Sequence, residues 1–303
     1  VGFYIAEKHY NVPMGNDEGY VDAISEIIDK ESIDVVIPLC TLELLPLARN
    51  KQNLSARIMV SEPESLEIAI NKCKLFEKFK TKYAPKFYKV SNADEFEDAC
   101  EKLGYPDKPI VFKPCVSFGS RGFRIIDPEL DKKAVFFQQK PTSVYTSYDE
   151  VKDVLKGSFP ESMVVEYLPG DEYSVDLLVD EDVIYSIPRR RVVIKQGISN
   201  VGVIEKNEEL IEMSSHIAKK LRLKFNINMQ FKKNDEGEFK VIEINPRVSG
   251  SIVFCIGAGV NLPYYGLKLC LGEEVPKVPV KWGTRVYRHW EEVFVYDGEV
   301  FRL

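Results

Sequence analysis

In the first seventy residues, the spacing of apolar positions predicts alternating strands and helices. Four apolar residues fall at helical spacing before a short apolar strand at Asp34–Pro38. They are Tyr20, Ile24, Ile27 and Ile28. A helix from Thr41 to about Gln52 and a strand at Arg57–Val60 follow, and Val1–Ala6 has the character of an earlier strand. This βαβαβ order predicts a parallel sheet with right-handed crossovers.

Further along, the pattern predicts helices and then antiparallel hairpins. The remaining predicted helices are 64–71, 72–82, 92–104, 147–156, 208–221 and 261–272. The predicted strands are 110–113, 123–126, 163–168, 173–179, 183–187, 226–233 and 238–245. The stretch Asp127–Thr146 has little pattern, so we expect an insertion or a mobile loop there. The tail Arg285–Leu303 predicts two strands around Asp297-Gly298.

The hairpin of residues 226–245 has one apolar face and one face of oxygen ligands. A turn at residues 234–237 would pair Lys233 with Glu238, Gln230 with Val241, and Asn228 with Glu243. Because side chains alternate along a strand, the polar face then holds Gln230, Glu243 and Asn245. The other face would supply a core of Ile227, Met229, Phe231, Ile242 and Ile244.

The polar face of this hairpin suits a hard cation. One carboxylate and two amide oxygens on neighbouring strands are appropriate ligands for Mg²⁺, which keeps several waters and binds phosphate oxygens. Arg247 lies two residues beyond Asn245 and can neutralise charge on such phosphates. A half-exposed sheet whose polar face meets solvent would, however, give the same pattern.

A loop with two glycines follows the strand that ends in Lys113. Gly119 and Gly122 would let the backbone approach a ligand closely, and successive N–H groups can bind phosphate. An ordinary hairpin turn would also contain such glycines. The loop is neither a Walker A motif nor a dinucleotide-binding fingerprint, because it lacks the required spacing and the following helix.

Two more polar segments are candidates for ligand binding. The first runs from Glu166 to Glu172 around Pro169-Gly170, where backbone groups could bind an adenine edge and a carboxylate could bind ribose. The second is Pro188-Arg-Arg-Arg191 with Lys195, which could clamp an anion. Surface carboxylates beside a turn and a solvated basic face are the ordinary explanations of these two patterns.

Composition narrows the classes of protein to consider. Of the 303 residues, 45% are hydrophobic and 29% are charged, which excludes a disordered or fibrous chain. The net charge of -6 argues against non-specific nucleic-acid binding, which depends on excess positive charge. No run approaches the roughly 18 apolar residues that a membrane span needs. We therefore expect a cytoplasmic protein of two or three packed domains.

The cysteines and histidines do not form a recognisable motif. The six cysteines are widely separated, so we expect buried free thiols in a reducing compartment rather than disulfides or a zinc site. They are Cys40, Cys73, Cys100, Cys115, Cys255 and Cys270. The three histidines lie far apart with no nucleophile beside them, so a hydrolase triad is not expected.

Taken in order, the polar segments resemble the nucleotide and magnesium site of the ATP-grasp superfamily. The matching residues are Lys72, Lys113, Gly119-Ser-Arg-Gly122, Glu166-Tyr-Leu-Pro-Gly-Asp-Glu172, Gln230 and Glu243-Ile-Asn-Pro-Arg247. The chain is most similar to stand-alone ligases that resemble one ATP-grasp unit of the carbamoyl-phosphate synthase large chain. The resemblance implies an α/β and α+β fold. A parallel α/β pre-ATP-grasp domain (1–70) would precede a two-part ATP-grasp fold with antiparallel sheets (71–165 and 166–303).

The resemblance also implies roles for individual residues. Those implied to bind ATP are Lys72, Lys113, Ser120, Arg121, Gly122, Glu166, Tyr167, Leu168 and Glu172. Those implied to position Mg²⁺, or Mn²⁺, are Gln230, Glu243 and Asn245. Arg247 would stabilise the transferring γ-phosphoryl group, with Lys113 beside it. Arg189, Arg191 and Lys195 would hold the acyl substrate.

These roles imply a ligase that joins a small carboxylate to an amine, or less often a thiol, through an acyl phosphate, with release of ADP and phosphate. The partners would be small molecules and a second copy of the chain, without nucleic acid or membrane. Two alternatives stay open. One is an ATP-binding module without catalysis, and the other is phosphoryl transfer to bicarbonate, as in carboxylases and carbamoyl-phosphate synthase.

Two features depart from the pattern of the family. Val116-Ser-Phe118 stands where relatives have another glycine, which leaves open whether the loop closes over ATP. The chain also begins with Val1 inside a strand, so on this resemblance it lacks on the order of 40–50 N-terminal residues, about the size of a βαβ unit.

Overall fold

The computed structural model of the protein describes residues 6–117, 119, 121–138, 143–195, 197–297 and 299–301. The first predicted strand, Val1–Ala6, therefore lies outside the described residues except for Ala6.

Short parallel strands between helices form the N-terminal region. Helix α1 (Tyr20–Glu31), strand β1 (Val35–Val36), helix α2 (Thr41–Asn50) and strand β2 (Arg57–Ile58) follow one another. The two strands pair in parallel, which confirms the α/β arrangement predicted for this region. The apolar faces of these elements meet in a small core that contains Tyr20, Leu44, Leu47, Ile58 and Leu66.

A five-stranded sheet follows two short helices, α3 (Pro63–Ala69) and α4 (Lys72–Phe79). The strands are β3 (Phe87–Val90), β4 (Ile110–Pro114), β5 (Arg124–Ile126), β6 (Tyr145–Thr146) and β7 (Ser162–Glu166), in the order β3-β7-β4-β5-β6. Neighbouring strands are antiparallel except β5 and β6. Helices α5 (Ala93–Lys102) and α7 (Tyr148–Val154) pack on this sheet through apolar residues such as Phe96 and Val151.

A six-stranded antiparallel sheet makes up most of the second half. Its strands are β8 (Glu172–Val179), β9 (Val183–Lys195), β10 (Ile198–Ile204), β11 (Phe225–Lys233), β12 (Phe239–Asn245) and β13 (Arg285–Tyr287). They lie in the order β12-β11-β8-β9-β10-β13. The helices of this half are α8 (Glu208–Lys220), α9 (Val253–Gly257) and α10 (Leu262–Leu271), and a hairpin of β14 (Phe294–Tyr296) and β15 (Glu299–Phe301) ends the described chain.

The two faces of this sheet are covered differently. Helix α8 joins the main core through Leu210 and Ile217, against Val175 and Leu177 of β8. Helices α9 and α10 form a second core that includes Leu178 on the other face. The polar part of that other face, nearer the start of β8, carries the candidate site. Within the described part of the chain, no helix has the length and apolarity that crossing a membrane requires.

The segment expected to be an insertion or mobile loop contains a short helix, α6 (Lys132–Gln138). Its first turn is capped, because the Asp131 carboxylate accepts the backbone N–H groups of Lys133 and Ala134. Phe136 and Phe137 of α6 are largely exposed. The helix buries none of its residues, and its apolar residues 134–137 are consecutive, so the sequence lacks the helical spacing that would have predicted it.

The register of the β11–β12 hairpin differs from the prediction at the turn, where Lys233 pairs with Phe239 and not with Glu238, and again at a β-bulge. Phe231 pairs with Val241 but Gln230 pairs with Glu243, so Ile242 has no partner on β11. As a result Val241 is fully buried and Ile242 is only half-buried. The prediction that Ile242 faces the core is wrong, because strict alternation cannot account for an extra residue in one strand.

The bulge predicts that the two neighbouring side chains differ in their contribution to stability. Val241→Ala should lower the free energy of unfolding by about 2 kcal/mol, because it leaves a cavity in the core. Ile242→Ala removes more atoms but from a half-buried position, so its effect should be smaller. Urea unfolding of the two variants measures the difference. A larger loss for Ile242→Ala would contradict the register described here.

Candidate active site

Three neighbouring strands place a set of polar side chains on one face of the six-stranded sheet. Cross-strand pairing forms one row of Ser174, Gln230 and Glu243 and a second row of Asp176, Asn228 and Asn245. The prediction that Gln230, Glu243 and Asn245 share a face is confirmed. The predicted pairing of Asn228 with Glu243 is wrong, because the register is one residue off at the turn and the bulge adds a second residue, so that Asn228 pairs with Asn245.

Lys72, at the start of α4, reaches this face from the other half of the molecule. Its Nζ lies 3.5 Å from Glu243 Oε1 and donates to the Ser117 carbonyl at 3.0 Å. Its backbone N–H donates to the Cys115 carbonyl at 2.8 Å. Lys72, which is predicted to bind phosphate, thus contacts both the glycine loop and Glu243, which is predicted to bind the metal.

Lys113 lies at the end of β4, and its side chain is buried. Its Nζ is 4.6 Å from the centre of the Phe76 ring, so its charge lies against an aromatic face. Burial and then the positive charge of Lys72 lower the pKa of Lys113, Glu243 opposes the change, and the resulting pKa is about 7. The two lysines and the carboxylate therefore interact electrostatically, as groups at one ligand site would.

A disulfide lies directly beside both lysines. Cys73 and Cys115 form it, and both residues are buried. The expectation of six free buried thiols is therefore wrong for this pair, which sequence spacing could not reveal because the two residues are 42 positions apart. Of the other cysteines, Cys40 is exposed and Cys270 is partly exposed, while Cys100 and Cys255 are buried and free as expected.

The glycine loop requires its second glycine. Gly122 has φ +73°, and a Cβ at this position would lie 2.6 Å from Pro114 Cγ, so any other residue would be both strained and too close. Gly119 also has a positive φ. Phe118 and the predicted phosphate contact Ser120 lie outside the described residues. Arg121 lies in the turn that joins the two glycines.

The predicted adenine-binding hinge connects the two sheets. Glu166 ends β7, and its carboxylate accepts the Lys86 backbone N–H at 2.8 Å. Tyr167 is half-buried, which raises its pKa, while Leu168 is buried. A Cβ on Gly170 would lie 2.5 Å from the Cβ of Lys233, which explains the glycine at the hinge.

The same end of the sheet brings Lys232 and Glu172 together, side by side on β11 and β8. The Lys232 Nζ lies 5.4 Å from the centre of the Tyr167 ring, and burial lowers the pKa of this lysine against the opposing effect of Glu172. Lys232 is a candidate site residue that the sequence did not single out. An isolated lysine in a strand of mixed polarity gives no indication in the sequence that it lies at a ligand site.

The basic run on β9 forms internal ion pairs. Arg189 is buried and donates from Nε to Asp176 Oδ2 at 3.0 Å, and Arg191 donates to Glu172 and to the Ser199 hydroxyl. Both guanidinium groups are already paired with carboxylates, and their expected role in holding an acyl substrate stays a prediction. The pairs hold the polar face together.

Asp176 is a second residue that the sequence analysis missed. It is buried, accepts from Arg189 and from Asn228 Nδ2 at 2.8 Å, and so connects β8, β9 and β11. A single carboxylate in the otherwise apolar run after Tyr173 is a signal that could have identified it, because buried carboxylates are nearly always paired.

Arg247 follows β12 and turns its guanidinium back toward the same face. Nη2 donates to Asn245 Oδ1 at 3.2 Å and Nη1 donates to the Val248 carbonyl at 2.9 Å. Burial lowers the pKa of Arg247, and Glu243 opposes the shift. Arg247 therefore lies beside the predicted metal ligands as a partly buried cation.

The donor set fits a magnesium ion bound jointly by protein and phosphate. Among the described residues there is no group of three or more His, Cys, Asp or Glu side chains that could hold a metal alone. Glu243 with the amides of Gln230 and Asn245 offers one carboxylate and two neutral oxygens, and Glu243 keeps 27% of its side-chain surface exposed. Such a partial set suits Mg²⁺, which takes its remaining ligands from water and phosphate.

Family models match two parts of the chain. A family described as ATP-grasp in the biosynthetic pathway with Ter operon matches residues 158–292, which include the whole polar face. A second model, the PylC-like N-terminal domain, matches residues 2–60.

Individual relatives are distant in sequence. The arginine-specific large chain of carbamoyl phosphate synthase from Halalkalibacterium halodurans is 23% identical over 294 residues, which cover 92% of this chain and 26% of that protein. The chain thus spans about a quarter of the length of the curated relatives that it matches.

Solved structures share the fold. The biotin carboxylase domain of the 2-oxoglutarate carboxylase from Hydrogenobacter thermophilus, in complex with magnesium ADP, ADP and bicarbonate, has a TM-score of 0.67 at 15% identity, over 93% of this chain and 64% of that one. An L-amino acid ligase from Bacillus licheniformis has a TM-score of 0.63 at 16% identity, over 88% and 63% of the two chains.

Because its pKa is lowered in the folded protein, Lys113 should reduce the free energy of unfolding by an amount that depends on pH. Between pH 7 and its ordinary pKa of 10.5, the unfolded chain holds a proton on Lys113 that the folded chain lacks, so stability contributed by this group rises with pH. Lys113→Met removes the cost and should be more stable than the native protein at pH 7. The gap should shrink by up to about 1.4 kcal/mol per pH unit as the pH rises.

Urea unfolding of both proteins between pH 7 and 9.5 measures this gap. A stability difference that stays constant over the range would contradict a neutral Lys113 in the folded protein.

Proposed function

The chain is a member of the ATP-grasp superfamily that resembles carbamoyl-phosphate synthase large chains, and we propose that it is an ATP- and magnesium-dependent ligase. The observation that carries the proposal is the contact of Lys72, at the start of helix α4, with Glu243 on strand β12. That contact brings a phosphate-binding cation and a metal-binding carboxylate to one place, together with the buried Lys113. A non-catalytic role in folding would not need two buried lysines beside one carboxylate.

We propose that the nucleotide binds between the two sheets. Lys72, Lys113 and the loop of Gly119, Arg121 and Gly122 would bind its phosphates. The hinge from Glu166 to Leu168 would hold adenine, and Glu172 would accept hydrogen bonds from ribose. The supporting geometry is that Lys72, from residues 71–165, contacts Glu243, from residues 166–303, and that Tyr167 of the hinge lies against Lys232 of β11. We assign these two ranges to the two halves of the ATP-grasp fold.

The polar face would hold the cation that accompanies ATP. Glu243, Asn245 and Gln230 are its proposed protein ligands, and a bound Mg²⁺ would neutralise phosphate charge. In the protein without nucleotide, Lys72 would have a second role. Its Nζ balances the charge of Glu243 until nucleotide and metal arrive, and it can then bind phosphate instead.

The chemistry that we propose needs no covalent bond to the protein. A carboxylate oxygen of the substrate attacks the γ-phosphorus, the bond to the β-phosphate oxygen breaks, and ADP leaves with that electron pair. The amine nitrogen then attacks the acyl carbon, loses a proton and expels phosphate, which leaves an amide. Positioning and neutralisation of charge by Lys113 and Arg247 supply the catalysis.

The direct test is a screen for ADP release from Mg·ATP with added amino acids and small carboxylates. A ligase releases ADP only when both a carboxylate and an amine are present. Release with bicarbonate alone would indicate the carboxylase type of phosphoryl transfer. Protection from thermal unfolding by Mg·ATP without release under any condition would indicate a module that binds the nucleotide but does not use it.

Loss of a metal ligand should abolish turnover without unfolding the protein. Glu243→Gln or Asn245→Ala should lower the rate of ADP release at least about a hundredfold, because charge on the transferring phosphoryl group is no longer neutralised. Glu238→Gln, on the exposed turn of the same hairpin, is the matched control and should keep full activity. Full activity of either site variant would refute the metal assignment.

Binding of Mg·ATP should also take up a proton. At pH 8 Lys113 is mostly neutral in the free protein, and the phosphates raise its pKa, so close to one proton per bound nucleotide should enter. Calorimetric titrations in two buffers of different ionisation enthalpy measure this number. It should fall toward zero in Lys113→Met, and equal uptake in both proteins would show that Lys113 does not face the phosphates.

A further inference from the structure

The disulfide of Cys73 and Cys115 joins the two segments that carry the proposed phosphate-binding lysines. Cys73 follows Lys72 directly in helix α4, and Cys115 lies two residues beyond Lys113, just after strand β4. Both bridged cysteines are buried, and the other four cysteines of the chain are free. The bridge therefore ties the start of α4 covalently to the end of β4.

Helix α4 determines the surroundings of both lysines. Lys72 belongs to the helix, and its Nζ lies 3.5 Å from Glu243 Oε1. Phe76 lies one turn further along the helix, and the centre of its ring is 4.6 Å from Lys113 Nζ. A small displacement of α4 relative to β4 would therefore change the position of Lys72 and the environment of Lys113 at the same time.

Backbone hydrogen bonds hold Cys115 on two sides. Its N–H donates to the Glu161 carbonyl at 2.9 Å, and its carbonyl accepts the Lys72 N–H at 2.8 Å. Glu161 directly precedes strand β7, so the first of these bonds continues the pairing of β4 with β7. Because Cys115 is fixed to the sheet in this way, a change in the bridge should move α4.

Breaking the bridge changes the space that the two sulfur atoms need. Covalently bonded sulfur atoms lie much closer together than two thiols in van der Waals contact. Cys73 and Cys115 lie in the main core, among residues such as Leu75 and Met163, and a packed core has few voids to take up extra volume. Reduction would therefore displace α4 from the end of β4 and change the spacing of the two lysines.

The intact bridge holds two like charges near each other before a ligand arrives. The positive charge of Lys72 lowers the pKa of Lys113, so the two side chains repel each other when both are protonated. A polyphosphate that contacts both lysines relieves this repulsion. A site that is already assembled binds such a ligand more tightly than a site that binding has to assemble.

We propose that the Cys73–Cys115 disulfide is a redox modification site and that its reduction weakens nucleotide binding. The inference rests on the proposed ligase function and names a way in which the same site is regulated. A dithiol reductant transfers two electrons and two protons to the bridge. The S–S bond breaks, one thiol forms on each cysteine, and the reductant becomes a disulfide.

The test measures binding of Mg·ATP and of inorganic triphosphate to the full chain before and after reduction with dithiothreitol. Calorimetric titration gives both affinities, and thiol titration should count four free cysteines before reduction and six after it. Reduction should weaken both ligands by about 10- to 100-fold, the effect of a displacement of roughly 1 Å at a site. Reoxidation should restore the original affinities.

Thermodynamic linkage supplies a second measurement. Mg·ATP should make the bridge harder to reduce by the same factor by which reduction weakens Mg·ATP binding, because both effects express one coupling free energy. Titration with mixtures of reduced and oxidised glutathione, with and without Mg·ATP, measures this factor. A bridge that has no influence on the site would be reduced equally in both titrations, which would contradict the proposal.

Cys100→Ala is the matched control. Cys100 is buried and free in the core beside the five-stranded sheet, so its loss should leave the response to the reductant unchanged. The double variant Cys73→Ala with Cys115→Ala should bind Mg·ATP equally with and without the reductant.

Three results would overturn the proposal. The first is equal affinity of the oxidised and reduced native protein, and the second is failure of the oxidised protein to bind either ligand. The third is a loss of affinity that accompanies loss of the far-UV circular dichroism of the folded chain, because the bridge would then act only on folding.

Failure of the ligase function can be recognised separately. If triphosphate binding depends on the bridge but no carboxylate and amine cause release of ADP from Mg·ATP, the ligase function fails and the redox control stands. If ADP is released with the same KM for ATP in both redox states, only the redox control fails.

Discussion

Buried charge has to be balanced, and this requirement organises the polar face of the six-stranded sheet. Arg189 is balanced by Asp176, and Arg191 is balanced by Glu172. Glu243 Oε1 lies 3.5 Å from Lys72 Nζ. Removing one member of the fully buried Arg189–Asp176 pair would leave an uncompensated charge, which costs several kcal/mol. The face therefore holds its geometry before any ligand arrives.

The same requirement separates structural cations from functional ones. Charges that are already paired fix strands relative to one another. Arg247, in contrast, forms no ion pair with any residue that the structure describes, and burial lowers the pKa of Lys113 to about 7. An anion bound next to Arg247 and Lys113 would stabilise the positively charged forms of both side chains. We base the proposed function on that difference, because Arg247 and Lys113 are cations that could bind a phosphate or a carboxylate.

Much of the fold could be predicted from local patterns. The caps at Asn92 and Ser147, the turn around Asp297 and the alternation in β11 each depend on residues close in sequence, and the structure has them. The bulge at Ile242 could not be predicted, because an extra residue in a strand breaks alternation without any marker in the sequence. The helix Lys132–Gln138 buries none of its residues, and its apolar residues 134–137 are consecutive, so they gave no helical periodicity.

The site was predictable in part for a similar reason. Gln230, Glu243 and Asn245 lie on one hairpin, so alternation was sufficient to place them on one face. The pairing of Arg189 with Asp176 and the disulfide of Cys73 with Cys115 join distant strands and helices, which a single sequence does not reveal. An arginine run predicts a cluster of positive charge, but only the partners of each guanidinium decide whether that charge is available to a ligand.

In the proposed reaction, a carboxylate oxygen of the substrate attacks the γ-phosphorus of ATP and is later released as part of the phosphate. The measurement that tests it most directly uses a carboxylate labelled with ¹⁸O, incubated with the protein, Mg·ATP and an amine. The released phosphate is then analysed by ³¹P NMR. An acyl-phosphate route predicts one ¹⁸O atom in each phosphate, transferred from the substrate. Phosphate without the label would contradict the account, because the γ-phosphoryl group would then have passed to water or to another acceptor.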